Sequence, residues 1–282
     1  TTLADYCYAS MFESSGLTNA PTLPATTLAD NCYDSMFESS GLTNAPALPA
    51  TTLADYCYSR MFMSCTNLVN APALPAETLA EYCYSNMFSG CTSLASAPAL
   101  PAETLAEYCY SGMFSDCTSL LNAPALSANI LANYCCYGMF SGCESLATAP
   151  TLPATTLAES CYYEMFSGCT SLVTAPALPA TTLKPSCYSL MFYNCSSLTT
   201  APDLPATSLE DGCYEWMFNG CSKLNYVKAL FIEHDQTDTR QWLYGVATSG
   251  TFVKNAAATW DYTSGRGDSK VPSGWEVITA TE

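Results

Sequence analysis

Nine Met-Phe pairs, from Met11-Phe12 to Met217-Phe218, mark the chain at intervals of 25, 25 and then six times 26 residues. Around each pair the sequence approximates LPAxTLAxxCYxxMFxxCxSLxxAPA. A fixed period of this size marks stacked supersecondary units, each too small to bury its apolar face alone. Such an array grows by nearest-neighbour interfaces, so residues 1–224 are read as one nine-repeat solenoid. From 225 to 282 the pattern breaks. This tail holds the only His, three of the four Trp, and five of the eight basic residues (Lys228, Arg240, Lys254, Arg266 and Lys270), and it reads as a C-terminal cap or small end domain.

Within a repeat, Thr104 to Cys117 serves as the example. Thr104 with Glu107 forms the Ser/Thr-x-x-acid box that opens helices, and the box recurs as Thr2/Asp5, Thr27/Asp30, Thr52/Asp55, Thr78/Glu81, Thr156/Glu159 and Ser208/Asp211. Leu105, Cys109, Met113 and Cys117 follow at every fourth place and, with Phe114, make one apolar flank at 100° per residue. Gly90, Asp116, Gly142, Gly168, Asn194 and Gly220 stand where such a helix would end in a left-handed residue. Behind the helix, Leu94-Ala95-Ser96-Ala97-Pro98-Ala99-Leu100-Pro101 reads as a short strand. Proline in eight copies, from Pro21 to Pro202, removes one ladder donor each time, so the paired stretch is expected to span about three residues. The fold expected is an α/β solenoid with short parallel strands on one face, helices on the other, and a C-terminal cap.

Composition narrows the function. A formal net charge of −17, with only three basic side chains in the repeats, excludes a nucleic-acid partner, which must be met with clustered Lys and Arg. No run of about 20 apolar residues offers a membrane span. The chain opens inside a repeat at Thr1 without a charged and then apolar leader, pointing to a removed leader or a shortened chain.

The MFSGCxSL runs (Met87 to Leu94, Met165 to Leu172), with the AP and LP turns that follow, resemble the leucine-rich repeat surface proteins of the BspA family. The tail segments GVATSGTFVKNAAATW (Gly245 to Trp260) and VPSGWEV (Val271 to Val277) are similar to the C-terminal part of such proteins. The family repeat is a few residues shorter; here CYxxMF adds a turn and Ala-Pro replaces the aliphatic strand centre. The resemblance implies a leucine-rich-repeat-like fold and an exported, surface-exposed bacterial interaction protein, often adhesive, with no family-wide active site.

The 17 cysteines fall in columns: nine from Cys7 to Cys213, seven from Cys65 to Cys221, and a stray Cys136. Two cysteines eight apart on one helix would lie about 12 Å apart, beyond bridging range. Pairing between repeats meets unsuitable parallel Cβ vectors, so buried free thiols acting as small core residues are expected. No CxxC or Cys/His cluster suggests a metal, and no cofactor is expected. His234, beside Asp235 and Asp238, lacks a second histidine or an activated nucleophile and reads as a solvated loop. The acidic rows are explained by capping, and the chain is read as a non-enzyme.

Two surfaces are candidates for binding. One is the strand-face column Asn19, Asn44, Asn70, Ser96, Asn122, Thr148, Thr174 and Thr200, beside the small Ala/Thr column from Thr22 to Ala177; its side chains either ladder among themselves or meet a protein or glycan. The other is the tyrosine row Tyr56, Tyr82, Tyr108 and Tyr134, with Tyr6, at the border of the apolar stripe, suited to partner contact or to shielding repeat junctions. A weak third is Arg266-Gly267-Asp268, an integrin-type tripeptide. The expected function is a noncatalytic extracellular adhesion or recognition module binding a protein or glycan on host or neighbouring cells; the alternative is a spacer holding a neighbouring domain away from the cell envelope.

Overall fold

In the computed structural model, residues 3–233, 235, 237–259 and 270–281 are described. Successive repeats stack as parallel coils, but the expected helices are absent. Among the described residues there is no helix, and the strands are β1 (Tyr226–Ala229), β2 (Gly250–Lys254) and β3 (Trp275–Thr279). The chain is therefore not an α/β, leucine-rich-repeat-like solenoid with a helical face.

A ribbon of overlapping turns replaces each helix. In the fifth coil the N–H groups of Cys109, Ser111, Met113, Ser115 and Cys117 donate three residues back, to the carbonyls of Ala106, Tyr108, Tyr110, Gly112 and Phe114. The N–H groups in between, of Tyr108, Tyr110, Gly112, Phe114 and Asp116, donate to Asn133, Cys135, Tyr137, Met139 and Ser141 of the next coil, at 2.7–3.3 Å. Every second donor thus leaves the ribbon, which an α-helix cannot allow because its bonds run four residues back within one segment.

Every fourth residue is left-handed, as at Tyr108 (φ 52°), Gly112 (φ 59°) and Asp116 (φ 57°), the signature of a type II turn alternating with a turn whose central residues have negative φ. A non-glycine residue there costs about 1–2 kcal/mol. The stacked hydrogen bonds offset it, since both sets of donors are satisfied only in this geometry.

Two residues point in and two point out. In the seventh coil Cys161-Tyr162 and Met165-Phe166 are buried and Tyr163-Glu164 between them half-buried; in the fifth, Cys109-Tyr110 and Met113-Phe114 are buried, the small Ser111-Gly112 between them are covered as well, and Glu107-Tyr108 and Ser115-Asp116 are half-buried or exposed. The Thr-x-x-acid motif starts no helix either: Thr104 sits in parallel bridges with Thr78 and Ile130.

Stacking places like on like. Phenylalanines from Phe12 to Phe218 form an unbroken ladder with centroids 5.6–5.8 Å apart and planes within 9°. Beside it run Tyr8, Tyr33, Tyr58, Tyr84 and Tyr110, then Tyr162, Tyr188 and Tyr214. Cys136, the stray cysteine, occupies the missing rung. In the second cysteine column each thiol from Cys65 to Cys221 donates to a phenylalanine carbonyl of the preceding coil, as Cys117 does to Phe88 at 3.1 Å. Ser15 and Ser40 stand at this position in the first two coils.

The rest of each coil is extended, with period-two burial: Leu74 and Ala76 face in, Ala73 and Pro75 out. Pairing is reduced to isolated parallel bridges, shorter than the three residues expected, because proline recurs across the segment. Where proline disappears, the bridges widen into the parallel sheet β1-β2-β3. The tail from Asn225 thus carries the stack onward. Trp242 and Leu243 fill the Met and Phe places, and Trp242 meets Phe231 and Phe252 edge-on at 5.7 and 6.0 Å.

Candidate binding surface

The extended half of the coils presents its outward side chains as a grid, about 4.8 Å between coils and about 6.6 Å between alternate residues. Asn19, Asn44, Asn70, Ser96, Asn122, Thr148, Thr174 and Thr200 are all exposed on it and form one column, continued through Tyr226. Self-satisfaction is limited. Asn70 donates to the Asn44 amide oxygen at 3.2 Å, but Asn19 and Asn44 donate to their neighbours Thr18 and Thr43. Beside this column Pro24, Pro49, Pro75, Pro101, Pro153 and Pro179 are exposed ribs. Clefts between ribs, lined by Ala20, Pro21, Pro24 and Pro46 in one place and by Ala149, Pro150, Pro153 and Pro176 in another, are shallow and apolar.

The adjoining position, not singled out in the sequence, carries large aliphatic side chains in the third, fifth and seventh coils. Val69, Leu121 and Val173 are 47, 55 and 52 % exposed, with Ala95 and Ala147 between them. Their repeat of two coils, about 9.6 Å, sets three apolar knobs along the polar column. The signal was available in the residue preceding each Asn/Ser/Thr of that column.

Tyr56, Tyr82, Tyr108 and Tyr134 also come together, at the edge of the turn ribbon. Their rings stack at 4.4, 4.5 and 4.6 Å with planes within 8°. Each inner ring has both faces covered by its neighbours, leaving edges and hydroxyls outward. Tyr6 stands apart and 65 % exposed, because the next coil offers Asn31 at its place.

Carboxylates beside this ladder bind between coils. Asp30 accepts the N–H of Asp55, and Asp55 that of Glu81, at 3.2 and 3.0 Å. They act as inter-coil clamps, not helix caps. Among the described residues no group of three or more His, Cys, Asp or Glu converges as a metal site. All 17 cysteines are free and all but Cys7 are buried. Burial pushes the Cys32 thiol up to about 11 and those of Cys83 and Cys143 to about 12.

Asp238 accepts the N–H of Asp235 at 2.8 Å. His234 and Arg266-Gly267-Asp268 lie outside the described residues. Among the described residues no helix is long and apolar enough to cross a membrane. Comparison of the chain with protein-family models, with curated proteins and with solved structures found no match.

Proposed function

We propose that the chain is a noncatalytic recognition module, displayed outside the cell, whose extended face engages a protein. The alternating row of Val69, Leu121 and Val173 along an exposed column of amides and hydroxyls carries this reading. Three aliphatic knobs in water at regular spacing gain free energy when a partner's apolar pockets cover them, and the polar column beside them supplies register. A sugar ligand is less favoured, since sugars are held best on open aromatic faces and the inner tyrosine rings cover one another.

The test is an array of glycans and extracellular-matrix proteins probed with the intact chain and with Leu121→Asp. Capture by a protein, weakened about tenfold or more in the variant, supports the reading. Binding to glycans alone would overturn the choice of partner, and silence throughout would favour a spacer.

A further inference from the structure

The surface tyrosine ladder is built for chemistry that the binding reading does not use. Its centroid separations of 4.4–4.6 Å are more than 1 Å shorter than the 5.8–6.2 Å between the buried tyrosines. Tyr137 and Tyr163 extend the array: Tyr134 meets Tyr137 at 6.4 Å, and Tyr137 stacks on Tyr163 at 4.8 Å. Six phenols therefore lie in sequence along one side of the stack. At its middle the Tyr134 hydroxyl donates to the Glu159 carboxylate at 3.1 Å, so a proton acceptor is already in place on one rung.

We propose that Tyr56, Tyr82, Tyr108 and Tyr134 form a site of oxidative modification, at which a one-electron oxidant couples neighbouring rungs into dityrosine within a single chain. Tyr134 gives an electron to the oxidant and its phenolic proton to Glu159. Tyr108 loses a second electron to the oxidant and its proton to water. The two phenoxyl radicals join through one ortho carbon each. One C–C bond forms, and the ring hydrogens at the new bond move to the oxygens. The balance is two phenols to one biphenol, two protons and two electrons, the electrons being taken by the oxidant.

The ladder brings the radicals together without diffusion, because each ring already lies against its neighbour. The same step applies at Tyr82–Tyr108 and Tyr56–Tyr82, with the proton lost to water. The buried tyrosines are shielded from an oxidant in solution. Tyr6 and Tyr244, 65 and 63 % exposed, are open to oxidation but have no stacked partner among the described rings.

Exposing the full chain to photogenerated ruthenium(III), a one-electron oxidant, tests this. Dityrosine fluorescence, electrophoresis and peptide mass mapping are the readouts. The expected product is a monomeric chain two hydrogens lighter, with the link mapped between neighbouring rungs. The Tyr82→Phe/Tyr108→Phe/Tyr137→Phe variant, which keeps the stacked rings but separates the remaining phenols Tyr56, Tyr134 and Tyr163, should lose about tenfold or more of the intrachain dityrosine. Cross-links chiefly between chains through Tyr6 or Tyr244, equal yields in wild type and variant, or no dityrosine at all would each overturn the proposal.

Discussion

Asn194 leans over Gly220 of the next coil so closely that a Cβ on the glycine would overlap the amide oxygen. Asn86 and Gly112, and Asp116 and Gly142, repeat the relationship. At these three pairs the Asx side chain fills the space that a Cβ on the glycine would need, whereas left-handed Asn31 is followed in the next coil by left-handed Tyr56. Gly168 differs: its added Cβ would meet only Gly142 backbone atoms at 3.5–3.6 Å, an ordinary contact. Gly168→Ala should therefore cost only the left-handed conformation, about 1–2 kcal/mol. Gly142→Ala should cost more, and Asp116→Gly should recover the difference, as a double-mutant cycle in urea would measure.

The Phe88 carbonyl accepts both the Cys91 N–H and the Cys117 thiol. Cys117→Ala removes the thiol donor and some core volume, while one hydrogen bond to the carbonyl remains. A loss of about 1–2 kcal/mol is expected from thermal denaturation. Cys117→Ser should lose less, since a hydroxyl restores a donor and Ser40 is already buried at this position.

The Tyr84 hydroxyl is buried without a hydrogen-bond partner. Removing an orphaned polar atom relieves its desolvation, so Tyr84→Phe should be neutral or stabilising by up to about 1–2 kcal/mol. A lowered unfolding midpoint would show that the hydroxyl is satisfied after all.

Phe114 stacks on Phe88 and Phe140 at the centre of the aromatic ladder. Phe114→Ala should cost about 3–5 kcal/mol. In a stack held by nearest-neighbour interfaces the loss weakens one junction, so calorimetry should show one transition dividing into two. A single transition, merely lowered, would mean that the coils couple over longer range.

Burial pushes the thiols of Cys83, Cys143, Cys187 and Cys221 from 9.0 up to about 12. The folded chain then holds protons that the unfolded chain releases. Their contribution is complete below pH 9 and is lost as pH rises towards 12, at about 1.4 kcal/mol per pH unit for each thiol. Circular dichroism should show cooperative alkaline unfolding that begins above pH 9. At pH 8 an alkylating reagent should label Cys7 alone in the folded chain and all 17 cysteines in urea.

The repeat length, the columns and the inward set of Cys, Met and Phe were legible, because identical side chains at constant spacing stack on one another whatever the local backbone. The ribbon was misread. Thr104, Glu107 and the spacing Leu105, Cys109, Met113, Cys117 all suit a helix, yet an α-helix turns 40° beyond a full turn every four residues. Apolar pairs repeating every four residues, with Cys109-Tyr110 and Met113-Phe114 both inside, match the turn ribbon better. Cys136 looked stray because its meaning is a vacant tyrosine rung in a ladder running between coils. The Val69, Leu121 and Val173 row was missed because its period is two coils, not one.

A repeating array with a continuous apolar spine follows from the residues alone, since burial of periodic apolar side chains depends on their order along the chain. The choice between helix and turn ribbon came from contacts 24–26 residues apart. Every second ribbon N–H finds its acceptor on another coil, and no local pattern of side chains records where a backbone hydrogen bond will end.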